Sequence, residues 1–122
     1  MNQTEKLMAR REAILLEVSG IEQMRRGSVM EQYVETVRAD GSKGRRGPYF
    51  LYTFKEKKKT ISRRITRSDL VPVYRSQIES FRRFTELVSE LTAIGEKLGD
   101  LSIAQKHDTK KTKNSRLRRK SR

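Results

Sequence analysis

Side chains able to support catalysis are few in this 122-residue chain. Asp40, followed by Glu56-Lys57-Lys58, fits the acid plus Glu-x-Lys pattern that holds a divalent metal in many nucleases. Both acids fall in predicted turns, whereas metal-assisted phosphoryl transfer needs acids on rigid elements. His107 is the only histidine and cysteine is absent, so neither a zinc site nor a positioned general base is expected. We therefore predict a non-enzyme without metal or cofactor, and a metal-dependent nuclease stays open as the least favoured hypothesis.

Basic side chains are the residues whose number and spacing stand out. The chain has 29 Lys and Arg against 15 Asp and Glu, a formal net charge of +14. Residues 38–67 carry eleven Lys/Arg against two acids, a net of +9, and residues 106–122 carry nine against one, a net of +8. Residues 1–37 and 68–105 have net charges of −1 and −2. Positive charge segregated in this way predicts a surface that faces a polyanion.

The cations of these two segments are the predicted nucleic-acid-binding residues, because Lys and Arg neutralise phosphates. They are Arg38, Lys43, Arg45, Arg46, Lys57, Lys58, Lys59, Arg63, Arg64, Arg67, Lys110, Lys111, Lys113, Arg116, Arg118, Arg119, Lys120 and Arg122. The aromatic residues between Tyr49 and Phe54 can stack on unpaired bases or pack in a core, and both interpretations stay open. Residues 106–122 form either a solvated end or a flexible arm along a phosphate backbone, and we favour the arm.

Three segments predict an antiparallel meander over about residues 29–65. Residues 29–37, 49–54 and 59–65 combine β-branched or aromatic residues with partial alternation, which favours strands. Glycines and a proline in residues 39–48 predict an exposed, mobile loop between the first two strands, with Gly47-Pro48 at the start of the second.

Two helices are predicted to flank these strands. Apolar residues recur at helical spacing from Leu7 to Ile21, with Thr4 as a candidate cap. Gly20 interrupts this pattern, and the first helix is expected to end near the break at residues 25–28. A longer helix over about residues 72–98 starts at Pro72 and carries an apolar stripe widened by Leu87. The stripe is formed by Tyr74, Ile78, Phe81, Phe84, Val88, Leu91, Ile94 and Leu98. This stripe can cover the sheet and the first helix, or pair with a second copy of the chain.

The expected fold class is therefore α+β: an N-terminal helix, a three-stranded antiparallel meander, a long C-terminal helix and a disordered basic tail. The expected domains are a small domain over residues 1–105 and the tail over residues 106–122. The polar start and the lack of an apolar run of about 18 residues predict a cytoplasmic protein without a membrane partner.

Three motifs resemble those of a small uncharacterised prokaryotic family. They are Arg26-Gly27-Ser28 with Glu31 and Tyr33, Gly47-Pro48-Tyr49-Phe50-x-Tyr52, and Phe81-Arg82-Arg83-Phe84-x-Glu86-Leu87. Members of that family commonly have a cysteine-containing loop between the first two strands, and their genes often lie near transposases. Here residues 37–47 contain no cysteine, so no metal-stabilised loop is carried over. The resemblance implies an association with mobile elements and no known activity.

Taken together, these features predict a non-catalytic protein that binds DNA or RNA by backbone charge and takes no small-molecule substrate. The alternative is an adaptor or subunit of a larger nucleoprotein complex, which dimerises or binds a protein through its long helix.

Overall fold

A computed structural model describes residues 2–120 of the chain, with side chains described for residues 2–107. The predicted α+β class is confirmed. The elements are α1 (Gln3–Ser19), β1 (Ser28–Val37), β2 (Lys43–Glu56), β3 (Lys59–Ile65), a short 3-10 turn (Ser68–Leu70) and α2 (Val71–Lys120). The chain divides into two compact units, one formed by Met1–Gly20 with Thr85–Arg122 and the other by Ile21–Phe84.

The unit of residues 21–84 contains the predicted meander, with strand order β1-β2-β3 and both pairs antiparallel. Residues opposite each other across strands share a face, so Val29, Tyr52 and Arg63 lie on one side of the sheet. On this side the first turns of α2 close a core. Its buried members are Tyr52, Ile65, Val71 and Ile78, and Val29, Phe50, Phe54, Leu70 and Tyr74 pack against them.

Tyr52 is the centre of that core. Its ring lies 5.1 Å from the ring of Phe54 and 5.3 Å from the ring of Tyr74, measured between centroids. Its hydroxyl donates a hydrogen bond to the carbonyl oxygen of Arg26. Phe50, Tyr52 and Phe54 alternate along β2 and pack on the inner face of the sheet. This agrees with the core-packing interpretation, in which about half of the side chains of a strand point inward.

Gly27 explains the first sequence motif structurally. Its φ is 109°, a conformation that side chains with a Cβ atom rarely adopt. A Cβ atom at this position would lie 2.9 Å from Tyr52 Cε1 and 3.0 Å from Phe54 Cβ, and would clash with the carbonyl oxygen of Thr53. Glycine is thus required for the chain entering β1 to pass this close to β2.

The prediction of a mobile loop over residues 39–48 is wrong for most of these residues. β2 begins at Lys43, so only residues 38–42 connect it to β1, and Gly47-Pro48 lies inside β2 rather than at its start. Proline is accepted there because β3 ends with Ile65 opposite Phe50, which leaves that edge of β2 outside the β2–β3 ladder at Pro48. Gly47 takes a φ of 136° beside the carbonyl oxygen of Gln32.

In the other unit, α1 begins at Gln3 and is capped by Asn2 rather than by the predicted Thr4. The Asn2 side chain accepts a hydrogen bond of 2.8 Å from the backbone N–H of Glu5, which satisfies one free donor of the first turn. Arg10 of α1 forms a bidentate ion pair with Glu90 of α2. Ile14, Leu87 and Ile94 are the buried hydrophobic side chains described in this unit.

α2 is longer than predicted, because its backbone stays helical through Lys120 and is not ended by Gly95 or Gly99. The helix continues there because a glycine inside a helix costs only about 1 kcal/mol relative to alanine. Neither described helix is both long and apolar enough to cross a membrane. The backbone of residues 106–120 belongs to this helix, whereas the sequence predicted a disordered tail there. The side chains of residues 108–120 lie outside the described ones.

Leu87 and Val88 offer a matched test of which side of α2 supports the core. Leu87 is 1% exposed, whereas Val88, which the sequence stripe placed in the core, is 38% exposed. We expect Leu87→Ala to lower the free energy of unfolding by about 2–5 kcal/mol, the range for a fully buried leucine. Val88→Ala should cost less than about 1 kcal/mol. Urea unfolding followed by circular dichroism measures both, and equal losses would contradict this assignment.

Candidate nucleic-acid interface

A two-stranded ribbon extends from the three-stranded part of the sheet. β3 pairs with β2 only from Phe50 to Glu56, while β1 and β2 continue to pair from Val34–Arg46 to Val37–Lys43. The register shifts between Gln32 and Val34, at the base of this extension. We call residues 34–46 the ribbon. It contains Arg38, Lys43, Arg45 and Arg46, four of the predicted binding residues.

The tip of the ribbon is a hydrogen-bonded turn. The backbone N–H of Arg38 donates to the carbonyl oxygen of Ser42 at 2.8 Å, and the N–H of Gly41 donates to the carbonyl oxygen of Arg38 at 2.9 Å. Asp40 Oδ1 accepts hydrogen bonds from the Ser42 hydroxyl at 2.6 Å and from its backbone N–H at 3.0 Å. Both hydrogen bonds lower the pKa of Asp40, and the bond from the Ser42 hydroxyl has the larger effect. Asp40 therefore shapes the turn.

A second group of cations surrounds the β2–β3 turn. Lys57 and Lys58 form the turn itself, with φ values of 50° and 69°, and Lys59 lies opposite Glu56 in the strand register. We call residues 55–59, which include Lys55, the lysine turn. All its side chains are exposed. Positive φ at both central residues is the geometry of a tight type I′ hairpin, in which asparagine and glycine are preferred.

These two groups lie at opposite ends of β2. The strand has 14 residues and rises about 3.3 Å per residue, which separates its ends by roughly 40 Å. The basic segment of residues 38–67 is thus continuous in sequence but forms two separate cationic regions in the fold. Among the described residues, the cations of the ribbon and of the lysine turn form no ion pairs.

The remaining predicted cations of this segment fall between the two groups. Arg63 and Arg64 are neighbours in β3 and lie on opposite faces of the sheet, with guanidinium carbons 5.5 Å from the Phe54 ring centroid and 4.3 Å from that of Tyr49. Arg67 is different, because its Nη2 lies 2.7 Å from Asp69 Oδ2. Its partner Asp69 follows just beyond the basic segment and is not included in the charge count of residues 38–67.

The face of the sheet opposite the core lies away from the first turns of α2, which pack on the core side. Tyr49 and Leu51 of β2 lie on it with Met30 and Arg64. Met30 is 53% exposed, and the Arg64 guanidinium lies over the Tyr49 ring. Tyr49 is half-buried and is the one aromatic side chain of residues 49–54 on this outer face. Among the aromatic residues of this segment, the base-stacking interpretation therefore stays open for Tyr49 alone.

Arg25 lies outside the two basic segments and makes contacts that a count of charged residues does not reveal. The guanidinium carbon of Arg25 lies 4.9 Å from the Tyr52 ring centroid and 4.7 Å from that of Tyr74. Its Nε donates to Gln77 Oε1 at 3.0 Å. Such cation–π contacts depend on tertiary packing, so no local sequence signal identifies them.

Two arginines of α2, Arg75 and Arg82, pair with acids. Arg75 Nη2 lies 3.5 Å from Glu31 Oε1. Arg82 Nη1 lies 2.6 Å from Glu79 Oε1, three residues earlier in the helix.

The acids of the nuclease alternative do not meet. Asp40 lies at the tip of the ribbon and Glu56 at the far end of β2, so one metal ion cannot bridge them. Across the described residues, no group of three or more His, Cys, Asp or Glu side chains is placed to hold a metal. His107 is exposed, at the end of the described side chains.

Eight predicted binding residues of the tail have side chains outside the described ones. They are Lys110, Lys111, Lys113, Arg116, Arg118, Arg119, Lys120 and Arg122. Comparison of the chain with protein-family models, with curated proteins and with solved structures finds no match. The family resemblance therefore stays an expectation based on its three motifs.

The hydrogen bonds at the ribbon tip predict a pH response. The pKa of Asp40 is held below the ordinary aspartate value of 3.8, so its stabilisation of the turn is complete above that value. The stabilisation is lost as the pH falls through the lowered pKa. We expect Ser42→Ala to raise the pKa of Asp40 toward 3.8, measured by the carboxyl carbon resonance during acid titration. An unchanged titration midpoint in this variant would show that Ser42 does not hold the carboxylate.

Proposed function

We propose that this chain is a non-catalytic nucleic-acid-binding protein that contacts the phosphate backbone. The ribbon, the lysine turn and the basic segment of residues 106–122 supply the contacts. The observation that carries this proposal is the pair of exposed cationic regions at the two ends of β2, unpaired within the described part of the chain. Unpaired Lys and Arg gain most from a partner that presents regularly spaced negative charge, and nucleic acids present one phosphate per nucleotide.

The conformation of the lysine turn supports the same function. A left-handed backbone costs a residue with a side chain about 1–2 kcal/mol, and glycine avoids most of this cost. Two consecutive lysines at positive φ therefore place charge where asparagine and glycine would give a more stable turn. Local choices that lower stability are characteristic of functional sites.

The resemblance to a family encoded near transposases adds a biological context. On that resemblance, we propose that the protein acts as an accessory factor of a mobile element. Phosphate contacts serve such a role on either DNA or RNA.

The salt dependence of binding tests the proposed function. We expect log affinity for a nucleic acid to fall linearly with log salt, with a slope of about 0.9 for each phosphate neutralised. The double variant Arg45→Gln/Arg46→Gln should bind more weakly and with a shallower slope. The matched control Lys6→Gln/Lys97→Gln removes two exposed cations outside the basic segments and should change neither. Fluorescence anisotropy with labelled oligonucleotides measures both, and equal effects of the two variants would contradict the proposed surface.

Removal of residues 106–122 isolates the contribution of the tail. The segment carries nine Lys/Arg, so its deletion should flatten the salt slope of the full chain further than either double variant does. A slope unchanged by the deletion would exclude the tail from the interface.

The lysine turn predicts opposite changes in stability and binding. Lys57→Asn/Lys58→Gly places the preferred residues at the two positive φ positions, and we expect it to raise the free energy of unfolding by about 1 kcal/mol. The same variant should bind nucleic acid more weakly because two phosphate contacts are lost. Urea unfolding and anisotropy measure the two quantities. A more stable variant with unchanged affinity would remove the lysine turn from the interface.

Exposed apolar side chains favour a second candidate function, an adaptor that binds protein through its helices. Leu16 of α1 is 76% exposed and Ile103 of α2 is 68% exposed, and both belong to the same compact unit. Exposed large apolar residues mark contact surfaces when they form a patch. Light scattering across a range of concentrations tests self-association, and Leu16→Glu/Ile103→Glu should abolish any increase in mass. A constant monomer mass would contradict dimerisation through these helices.

A further inference from the structure

The ribbon is not explained by the packing of the core. Its residues are exposed apart from Thr36 and Gly44, which are half-buried, and none belongs to the core cluster. An isolated two-stranded hairpin is only marginally stable, so a projecting ribbon adds little to the stability of the fold. The ribbon nevertheless has a defined tip, because Asp40 and Ser42 fix the turn.

The cations of the ribbon are divided between its two faces. Val34 and Arg46 are opposite each other on one face, as are Thr36 and Gly44, since alternate pairs share a face. The guanidinium of Arg38 joins this face, because a Cβ atom at Gly44 would lie 3.3 Å from Arg38 Nε. One face therefore carries Arg38 and Arg46.

The other face carries Lys43 and Arg45, which pair with Val37 and Glu35 in the register. The guanidinium carbon of Arg45 lies 4.5 Å from the Tyr33 ring centroid, so this side chain is held against the base of the ribbon. Val37, close to the tip, is 76% exposed. Both faces thus carry two cations each, and the second face also carries the carboxylate of Glu35, so its net charge stays positive.

This distribution distinguishes a groove from a flat surface. A ribbon lying along one phosphate backbone would use the cations of one face only, and the other two would face solvent. In a groove of a duplex, phosphates line both walls, so cations on both faces find partners simultaneously.

The dimensions select the nucleic acid. Paired strands lie about 4.7–4.9 Å apart, and the major groove of B-form DNA, about 12 Å wide and 8.5 Å deep, admits a two-stranded ribbon. The four paired positions of the ribbon are separated by three intervals of about 3.3 Å, a span of about 10 Å that exceeds that depth. The major groove of A-form RNA is deep and narrow and does not admit such an element.

From this geometry we infer that the ribbon of residues 34–46 enters the major groove of duplex DNA. Arg38 and Arg46 contact one wall, and Lys43 and Arg45 contact the other. This inference rests on the proposed function and names its substrate class and its reading element.

The chain contains no cysteine, which permits a positional test. Val37→Cys places a single thiol near the ribbon tip, and Thr60→Cys places one beside the lysine turn, and neither substitution changes the charge. Each full-length variant is labelled with an iron chelate that cleaves DNA locally, and bound to a 30-base-pair duplex. We expect the Val37 conjugate to cut both strands within a few base pairs of each other, as a probe inside a groove does. The Thr60 conjugate should cut weakly or on one strand.

Affinity for three substrates provides the second measurement. We expect the full chain to bind a DNA duplex at least about tenfold more tightly than single-stranded DNA or duplex RNA of the same length, the factor that about 1.4 kcal/mol of additional contact gives. Arg38→Gln/Arg46→Gln and Lys43→Gln/Arg45→Gln remove the cations of one face each, and each should abolish most of this preference. Circular dichroism checks that both variants keep the fold.

The outcomes separate the two proposals. Salt-dependent binding with equal affinity for the three substrates, or equal cleavage by both conjugates, would overturn entry into the groove and leave phosphate binding intact. No salt-dependent binding to any of the three substrates would overturn the proposed function itself.

Discussion

The packing of Tyr52 against the start of α2 is the contact on which the surface of the sheet depends. Tyr52 is 4% exposed, stacks near Phe54 and Tyr74, and has the guanidinium of Arg25 at the edge of the same cluster. Burial of an aromatic side chain of this size contributes about 2–3 kcal/mol from apolar area alone. Because this contact fixes which face of β2 is covered, it also fixes that Tyr49 and Arg64 lie on the open face.

The arginines and lysines differ in whether the described structure gives them an acidic or aromatic partner. Arg25 and Arg75 lie close to aromatic rings on the covered face, and Arg10, Arg67 and Arg82 pair with acids. Exposed ion pairs of this type contribute about 0–1 kcal/mol each, so they mainly neutralise charge that would otherwise repel. The cations of the ribbon and of the lysine turn form no ion pairs among the described residues, although Glu35 lies opposite Arg45 and Glu56 opposite Lys59 in the register. The positions of the unpaired cations therefore say more about a binding surface than the net charge of the chain does.

Much of the fold follows from local patterns. Aromatic and β-branched segments predict the three strands, and the periodic apolar residues predict both helices. Leu87 and Val88 show the limit of the stripe, because neighbouring positions on a helix differ by 100° and only packing decides which one is buried. A Gly-Pro pair normally indicates a turn. Gly47-Pro48 can lie inside a strand here because β3 ends before it, so no hydrogen bond from the proline nitrogen to β3 is needed. The cations of the proposed interface could be predicted by residue type. Their division between two ends of β2 and two faces of the ribbon depends on strand pairing, which composition does not contain.

Amide resonances of the full chain, followed by NMR during titration with a DNA duplex, test the central claim most directly. The proposed interface predicts that shift changes concentrate in residues 34–46 and 55–60 and are weak in α1 and in residues 85–105, and that added salt reverses them. Changes concentrated around Leu16 and Ile103, with the ribbon unaffected, would contradict it.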